Sequence, residues 1–175
     1  MPAVILAKHF NISNDQLQTA IYSFTPLRHR LEYAGTVNKV NYYNDSLSTT
    51  PEASIAALQT FRHSPIHLLA GGYERHQDYT KLAQTILKLP VKTVFLFPDT
   101  GRRLKRTITD LAIKKKLLVP DFYDVSSLKQ ALSLASQKAQ AGDIVILSPA
   151  AASFGHFKDY ADRGDQFCQL VQNLL

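Results

Sequence analysis

The sequence predicts an α/β fold: a Rossmann-like, mostly parallel sheet with helices on both faces and an initial antiparallel β-hairpin. Three observations carry this expectation. From Ile66 onward, short apolar runs alternate with segments of helical periodicity, the pattern of parallel strands covered on both faces. Between Arg30 and Asn44 the period drops to two residues, as in a hairpin. Several apolar runs end abruptly in glycine, small or hydroxyl-bearing residues, which is how such a sheet delivers polar groups to its carboxyl edge.

The first 27 residues read as two short helices, Ala3 to Phe10 and Asp15 to Ser23. Ser13 is placed to cap the second, and Gln16 completes a capping-box pattern. Their apolar residues Ile5, Leu6, Phe10, Leu17, Ile21 and Phe24 have too little partner surface within the pair to form a core, so they must pack on something else. The hairpin follows, through Leu31, Tyr33, Val37, Val40 and Tyr42, with Gly35 and Asn38-Lys39 as turn signals. Its second strand runs into Asn44-Asp45-Ser46. Pro51 suits the first turn of a helix reaching about Phe61, with Thr49 or Thr50 as cap. Strand Ile66 to Ala70 ends at Gly71-Gly72, helix Tyr79 to Leu89 follows, and strand Thr93 to Phe97 ends at Pro98-Asp99-Thr100-Gly101. A basic helix runs to about Lys116, burying Leu104, Ile108, Leu111 and Ala112. A short strand near Asp121 to Tyr123, a helix Ser127 to Ala139, strand Ile144 to Leu147 and a final helix from about Phe157 to Leu175 complete the chain. There is no internal repeat and no low-complexity linker.

A hydrophobic content of 45% over 175 residues supports one cored domain with a small appendage. The single cysteine, Cys168, excludes a disulfide framework and reads as buried packing. No apolar run approaches the roughly 20 residues that span a bilayer, and Met1 to Phe10 is wrongly built for a signal peptide. A soluble, cytoplasmic protein with no membrane partner is expected. The net charge of +6 rests largely on Arg102, Arg103, Lys105, Arg106 and Lys114 to Lys116. A solvated helix face accounts for these better than a nucleic-acid surface, because no aromatic residues interleave with the cations. The excess charge could still draw an anionic substrate.

Three loops that a parallel sheet would bring to one rim are chemically loaded. One carries Asn44, Asp45, Ser46, Ser48, Thr49 and Thr50; a second Gly71, Gly72, Tyr73, Glu74, Arg75 and His76; a third Ser148 and Ser153 to Tyr160. Each alone could be capping and turn chemistry. Their coincidence suits the holding of a small anion or carboxylate. No phosphate-loop motif or dinucleotide fingerprint is present, no histidine pair has metal-ligand spacing, and Ser148 and Ser153 lack a hydrolase nucleophile elbow. The six histidines read singly as surface or capping residues. Ala150 to Ala152 could simply let a helix approach the sheet.

His29-Arg30-Leu31-Glu32, Asn44-Asp45-Ser46 with Thr49, Leu69-Ala70-Gly71-Gly72, and Leu147 to Phe154 with Arg163-Gly164-Asp165 closely resemble, in order and spacing, the carboxyl-terminal domain of Mur ligases. The resemblance covers about residues 28–175 and is strongest to the branch that adds D-glutamate to UDP-N-acetylmuramoyl-L-alanine. It implies that residues 1–27 are the last helices of a central ATPase domain and residues 28–175 an amino-acid-binding domain. It further implies an ATP- and Mg2+-dependent ligase in which phosphorylation gives an acyl phosphate that the incoming amino group attacks. By motif matching, Arg30 and Asp45 would be catalytic and, with Asn44, would serve the nucleotide, while Thr49, Arg75, Ser153, Phe154 and Tyr160 would surround D-glutamate. The chain would bind no cofactor tightly by itself; its partners would be the central ATPase and the amino-terminal UDP-binding domains. Two departures stand out: Leu47 replaces a usual lysine, and Arg75 stands near where a lysine is expected. A relative using another amino acid, as in other Mur or folylpolyglutamate-type ligases, and a non-catalytic binding domain are the competing readings.

Overall fold

The computed structural model describes residues 2–174. Two short helices come first, α1 (Pro2–His9) and α2 (Asn14–Ser23). The capping box forms as expected: the Gln16 N–H donates to Ser13 Oγ at 3.2 Å, and the Ser13 N–H to Gln16 Oε1 at 3.0 Å. No residue of α2 is buried, and Ile5, Leu6, Phe10, Ile21, Tyr22 and Phe24 all stand more than half exposed. The apolar surface of this pair has no partner within the described residues.

Strands β1 (Glu32–Val37) and β2 (Val40–Asn44) form the antiparallel hairpin. Asn38 and Lys39 both take positive φ, 51° and 64°, the backbone that a two-residue turn matching strand twist requires. Gly35 is not part of the turn. It lies inside β1, at φ 146°, where the register shifts between Tyr33 and Gly35, so its freedom serves a bulge.

The rest alternates: α3 (Pro51–Thr60), β3 (Ile66–Gly72), α4 (Thr80–Lys88), β4 (Val91–Asp99), α5 (Thr100–Lys115), β5 (Asp121–Asp124), α6 (Leu128–Lys138), β6 (Ile144–Leu147) and α7 (Tyr160–Gln172). Caps set the boundaries of three helices, with Thr50 before α3, Ser127 before α6 and Asp159 before α7. The last of these corrects the expected start of α7 at Phe157. The Phe157 N–H turns back to the Ser153 carbonyl, and the Asp159 carboxylate captures the Asp162 N–H at 2.8 Å, so the helix begins later.

The six strands are ordered β1-β2-β6-β3-β4-β5, parallel from β2 to β5. Helices α3, α4 and α5 pack Leu58, Leu82, Ile86, Leu104 and Ile108 onto one face, against Leu68, Val94 and Ile146. Helices α6 and α7 pack Leu128, Leu132, Phe167 and Val171 onto the other, against Leu69, Phe95, Val145 and Leu147. Every residue of β3 and β6 is buried, which is why their sequences read as continuous apolar runs rather than alternating ones. Two histidines depart from the surface reading. His67 lies 2.7 Å from Thr93 Oγ1 and 2.9 Å from Asp143 Oδ2 inside the sheet, and His29 is buried beside Asn44.

Candidate functional site

Adjacent strands β3 and β6 send their chains to opposite faces, β3 into α4 and β6 into α7. A crevice therefore opens at their carboxyl ends, the place where open α/β sheets take ligands. The backbone closes its floor. The Gly71 N–H donates to the Pro149 carbonyl at 2.8 Å and the Tyr73 N–H to the Ala152 carbonyl at 3.0 Å. Gly72 is needed for this approach, since a Cβ there would lie 2.6 Å from the Ala152 oxygen.

The loop from Asn44 to Thr50 is tied in beside them. The Ala150 N–H donates to the Ser48 carbonyl, Asp45 N–H to the Leu147 carbonyl, and Ser46 Oγ–H to the Tyr160 carbonyl. Gln77 reaches the Thr49 carbonyl from the β3–α4 loop at 3.1 Å. The three loaded loops thus share one rim.

Their side chains divide into two groups. Asn44 and Asp45 point inward. The Asn44 amide donates to Glu32 Oε2 and the Gly164 carbonyl and accepts the Ser46 N–H, leaving its side chain fully enclosed. Asp45 accepts from the Leu31 N–H at 3.2 Å and from Ser148 Oγ at 2.7 Å, and it too is buried. Burial pushes the Asp45 carboxyl above the ordinary value, outweighing the bonds from Ser48, Ser148 and Leu31 and the nearby Arg30 charge. In this structure both residues shape the loop, and of the three nucleotide candidates Arg30 alone is exposed.

The second group faces outward. Thr49 is half-buried, and Arg75, Phe154 and Tyr160 are exposed. Phe154 stands edge-on to Tyr73 and Tyr160 edge-on to His29, which holds both rings without covering them. Ser153, by contrast, is buried, and neither its hydroxyl nor Arg75 has a hydrogen-bond or ion-pair partner among the described residues. Leu47 lies at the same loop, its N–H donating to the His29 carbonyl and its aliphatic side chain half-buried.

Two residues to which the resemblance assigned no role organise the rim. Arg163 on α7 is fully buried and donates to Ser46 Oγ and the Ser46 carbonyl at 2.9 Å and to the Ala151 carbonyl at 3.2 Å, joining two of the loops. Ser148 Oγ joins Asp45 and, at 2.9 Å, Ser54 on α3. Arg163 belongs to the Arg163-Gly164-Asp165 stretch that carries the resemblance, but no local pattern marks it as buried.

Residues 29–151, well over half the chain, match the model of one protein family: "Mur ligase, glutamate ligase domain". The chain belongs to that family. Among curated relatives, the UDP-N-acetylmuramoylalanine--D-glutamate ligase of Clostridium perfringens is 36% identical over 172 residues, 98% of this chain and 37% of that protein. The enzyme of the same name from Caldicellulosiruptor bescii is 35% identical over 175 residues, 100% of this chain and 36% of that one. This Mur ligase domain therefore spans little more than a third of the length of the relatives it matches. Among solved structures, the MurF ligase of Thermotoga maritima in complex with ADP superposes with a TM-score of 0.63 at 13% identity, over 98% of this chain and 36% of that one. A bifunctional folylpolyglutamate synthase/dihydrofolate synthase from Yersinia pestis gives 0.60 at 12% identity, over 91% and 35%. These two share the fold.

Proposed function

We propose that this chain is the amino-acid-bearing, carboxyl-terminal part of a cytoplasmic ATP-dependent ligase that adds D-glutamate to UDP-N-acetylmuramoyl-L-alanine in peptidoglycan synthesis. The observation that carries this reading is similarity across nearly the whole chain to proteins named for that reaction. The rim chemistry supports it. An exposed, unpaired Arg75 can grip one carboxylate of a dicarboxylic amino acid in a two-pronged contact, and the Thr49 and Ser153 hydroxyls can serve the other. Phe154 and Tyr160 would wall the short apolar stem between them.

Residues 1–27 are then the last helices of a preceding ATPase domain, which supplies the cover that their exposed apolar residues lack here. Of this chain's own residues, Arg30 is the one fitted to meet nucleotide phosphates, since Asn44 and Asp45 are enclosed. ATP with Mg2+, held by the remainder of the ligase, would supply the phosphoryl group that activates the substrate carboxylate. Arg30 would orient it, and Thr49, Arg75 and Ser153 would hold the incoming amino acid. Without a phosphate loop, the 175-residue chain alone has no ligase activity.

One feature favours a second reading, a ligase of the same family for another amino acid: Leu47 carries no charge where the family resemblance implies a lysine. The experiment that tests the first reading is phosphate release by the intact ligase containing this domain, with the uridine-linked acceptor and a panel of amino acids. Turnover with D-glutamate supports the proposal. Turnover with a different amino acid, and none with D-glutamate, overturns it.

A further inference from the structure

On the face of the sheet covered by α6 and α7 a cleft adjoins the crevice described above, sharing Gly71, Gly72, Ala152 and Ser153 with it and extending away from Thr49, Arg75, Phe154 and Tyr160. It opens between the carboxyl ends of β3 and β4 and these two helices, with a volume of about 400 Å³. Of the five rim residues assigned to the amino acid, Ser153 alone reaches its wall. Its lining combines the apolar side chains of Phe97, Leu128, Phe157 and Leu170 with the cationic Arg163 and Lys129. No aspartate or glutamate lines it.

Arg163 gives the cleft its chemistry. Its side chain is 2% exposed, yet no described carboxylate lies within 4.0 Å, and its three bonds go to neutral oxygens of Ser46 and Ala151. A guanidinium has five N–H donors, so donors remain, and the charge itself is uncompensated. Burial lowers its pKa to about 10, which leaves it cationic at neutral pH. A buried cation without a counter-ion is costly, and an anion brought into the cleft would offset that cost. Lys129, with no ion pair among the described residues, adds a second positive charge to the lining.

We propose that this cleft binds a small organic anion, its carboxylate or phosphate against Arg163 and Lys129 and its apolar body against Phe97, Phe157 and Leu170. The volume suits a molecule with one or two rings. The inference rests on the cleft and its charge, and it is independent of which amino acid the ligase uses.

The test is titration of the isotope-labelled 175-residue chain with three probes of one shape: 1-naphthoate, 1-naphthyl phosphate and neutral 1-naphthamide. At least one anion should bind saturably and shift the amide signals of Ser127, Ser153 and Gln166, and the amide should bind about tenfold more weakly or worse. Which anion binds tighter assigns the head group. Gln169→Trp, at an exposed position on the cleft wall, should fill the space and abolish binding without unfolding the chain. Arg163→Met should weaken it about tenfold or more; should that variant fail to fold, Gln169→Trp and the neutral probe still decide. Equal binding of 1-naphthamide, full binding by Gln169→Trp, shifts confined to the Thr49 and Arg75 loops, or displacement by excess D-glutamate would each overturn the proposal.

Discussion

The Ser148 hydroxyl lies 2.7 Å from Asp45 Oδ2 and so bridges two site loops that are 103 residues apart in the chain. The same hydroxyl touches Ser54 at the start of α3, so a helix and two loops meet at one oxygen. Removing it leaves a buried carboxylate oxygen without its donor. Ser148→Ala should therefore destabilise the chain by about 1 to 3 kcal/mol, the desolvation penalty of an unsatisfied buried group. Urea unfolding measures this, and an unchanged midpoint would remove Ser148 from the structural account.

Asp45 makes stability fall as pH rises. Burial raises its carboxyl pKa above the ordinary aspartate value, so across the interval from that value up to the raised one the folded chain binds more protons than the unfolded. Stability is then lost over that interval. Asp45→Asn keeps an acceptor for the Leu31 N–H and has no charge to bury. The difference between variant and parent should move in favour of Asn as pH climbs through the interval, then level off. Urea midpoints measured at a series of pH values check it, and a difference that does not vary with pH would contradict the assignment.

Asp143, at the opposite edge of the sheet, has the reverse sign. Its burial alone would raise the pKa, but the His67 ring, the Gln140 N–H at 3.0 Å and the Lys92 ammonium at 3.0 Å together lower it. A depressed carboxyl stabilises the fold above its unfolded value and loses that contribution as pH falls through the folded one. The parent should weaken faster than Asp143→Asn as pH drops below the ordinary aspartate value of about 3.9. Acid titration followed by circular dichroism tests this, and parallel curves would refute it.

These two aspartates show where sequence reading stops. The strands, the Asn38-Lys39 turn and the Ser13 and Thr50 caps were legible because each depends on residues within a few positions. The site loops were legible too, since a parallel sheet must collect strand ends on one rim. The direction of each polar side chain was not. Asn44 and Asp45 stand in the loop that carries Thr49, yet Gly164 and Ser148, more than a hundred residues later, draw them inward. His67 sits in an apolar strand and owes its place to Asp143, and Arg163 owes its burial to Ser46 and Ala151. Apolar periodicity reports burial of apolar residues; a buried polar residue is announced only by partners that local spacing cannot reveal.

Ser153 and Arg75 make separable contributions if the rim holds a dicarboxylate. Ser153→Ala in the intact ligase should raise the amino-acid KM by an amount matching a lost charge-assisted hydrogen bond of about 1.5 to 3 kcal/mol. Arg75→Met should do so more strongly, and Arg75→Lys should recover part of the loss, because lysine keeps the charge without the two-pronged fit. Steady-state kinetics with varied amino acid read both effects. An unchanged KM in Ser153→Ala would place the substrate elsewhere on the rim.

Gly164 should behave against its helix propensity. It lies inside α7, where replacing glycine with alanine ordinarily stabilises by about 1 kcal/mol. Here a Cβ would collide with His29 Nδ1 and lie 2.9 Å from the Asn44 amide nitrogen and 3.0 Å from its oxygen. Neither neighbour has room to retreat, since His29 is buried against Tyr160 and Asn44 is held by Glu32 and Ser46. Gly164→Ala should therefore cost about 1 to 3 kcal/mol through overpacking. Trimming the obstacle discriminates this cause from any general intolerance of α7: in a double-mutant cycle, Gly164→Ala should cost distinctly less when His29 is already alanine. Additive effects would mean that the close approach of α7 to the His29 loop is not what requires the glycine.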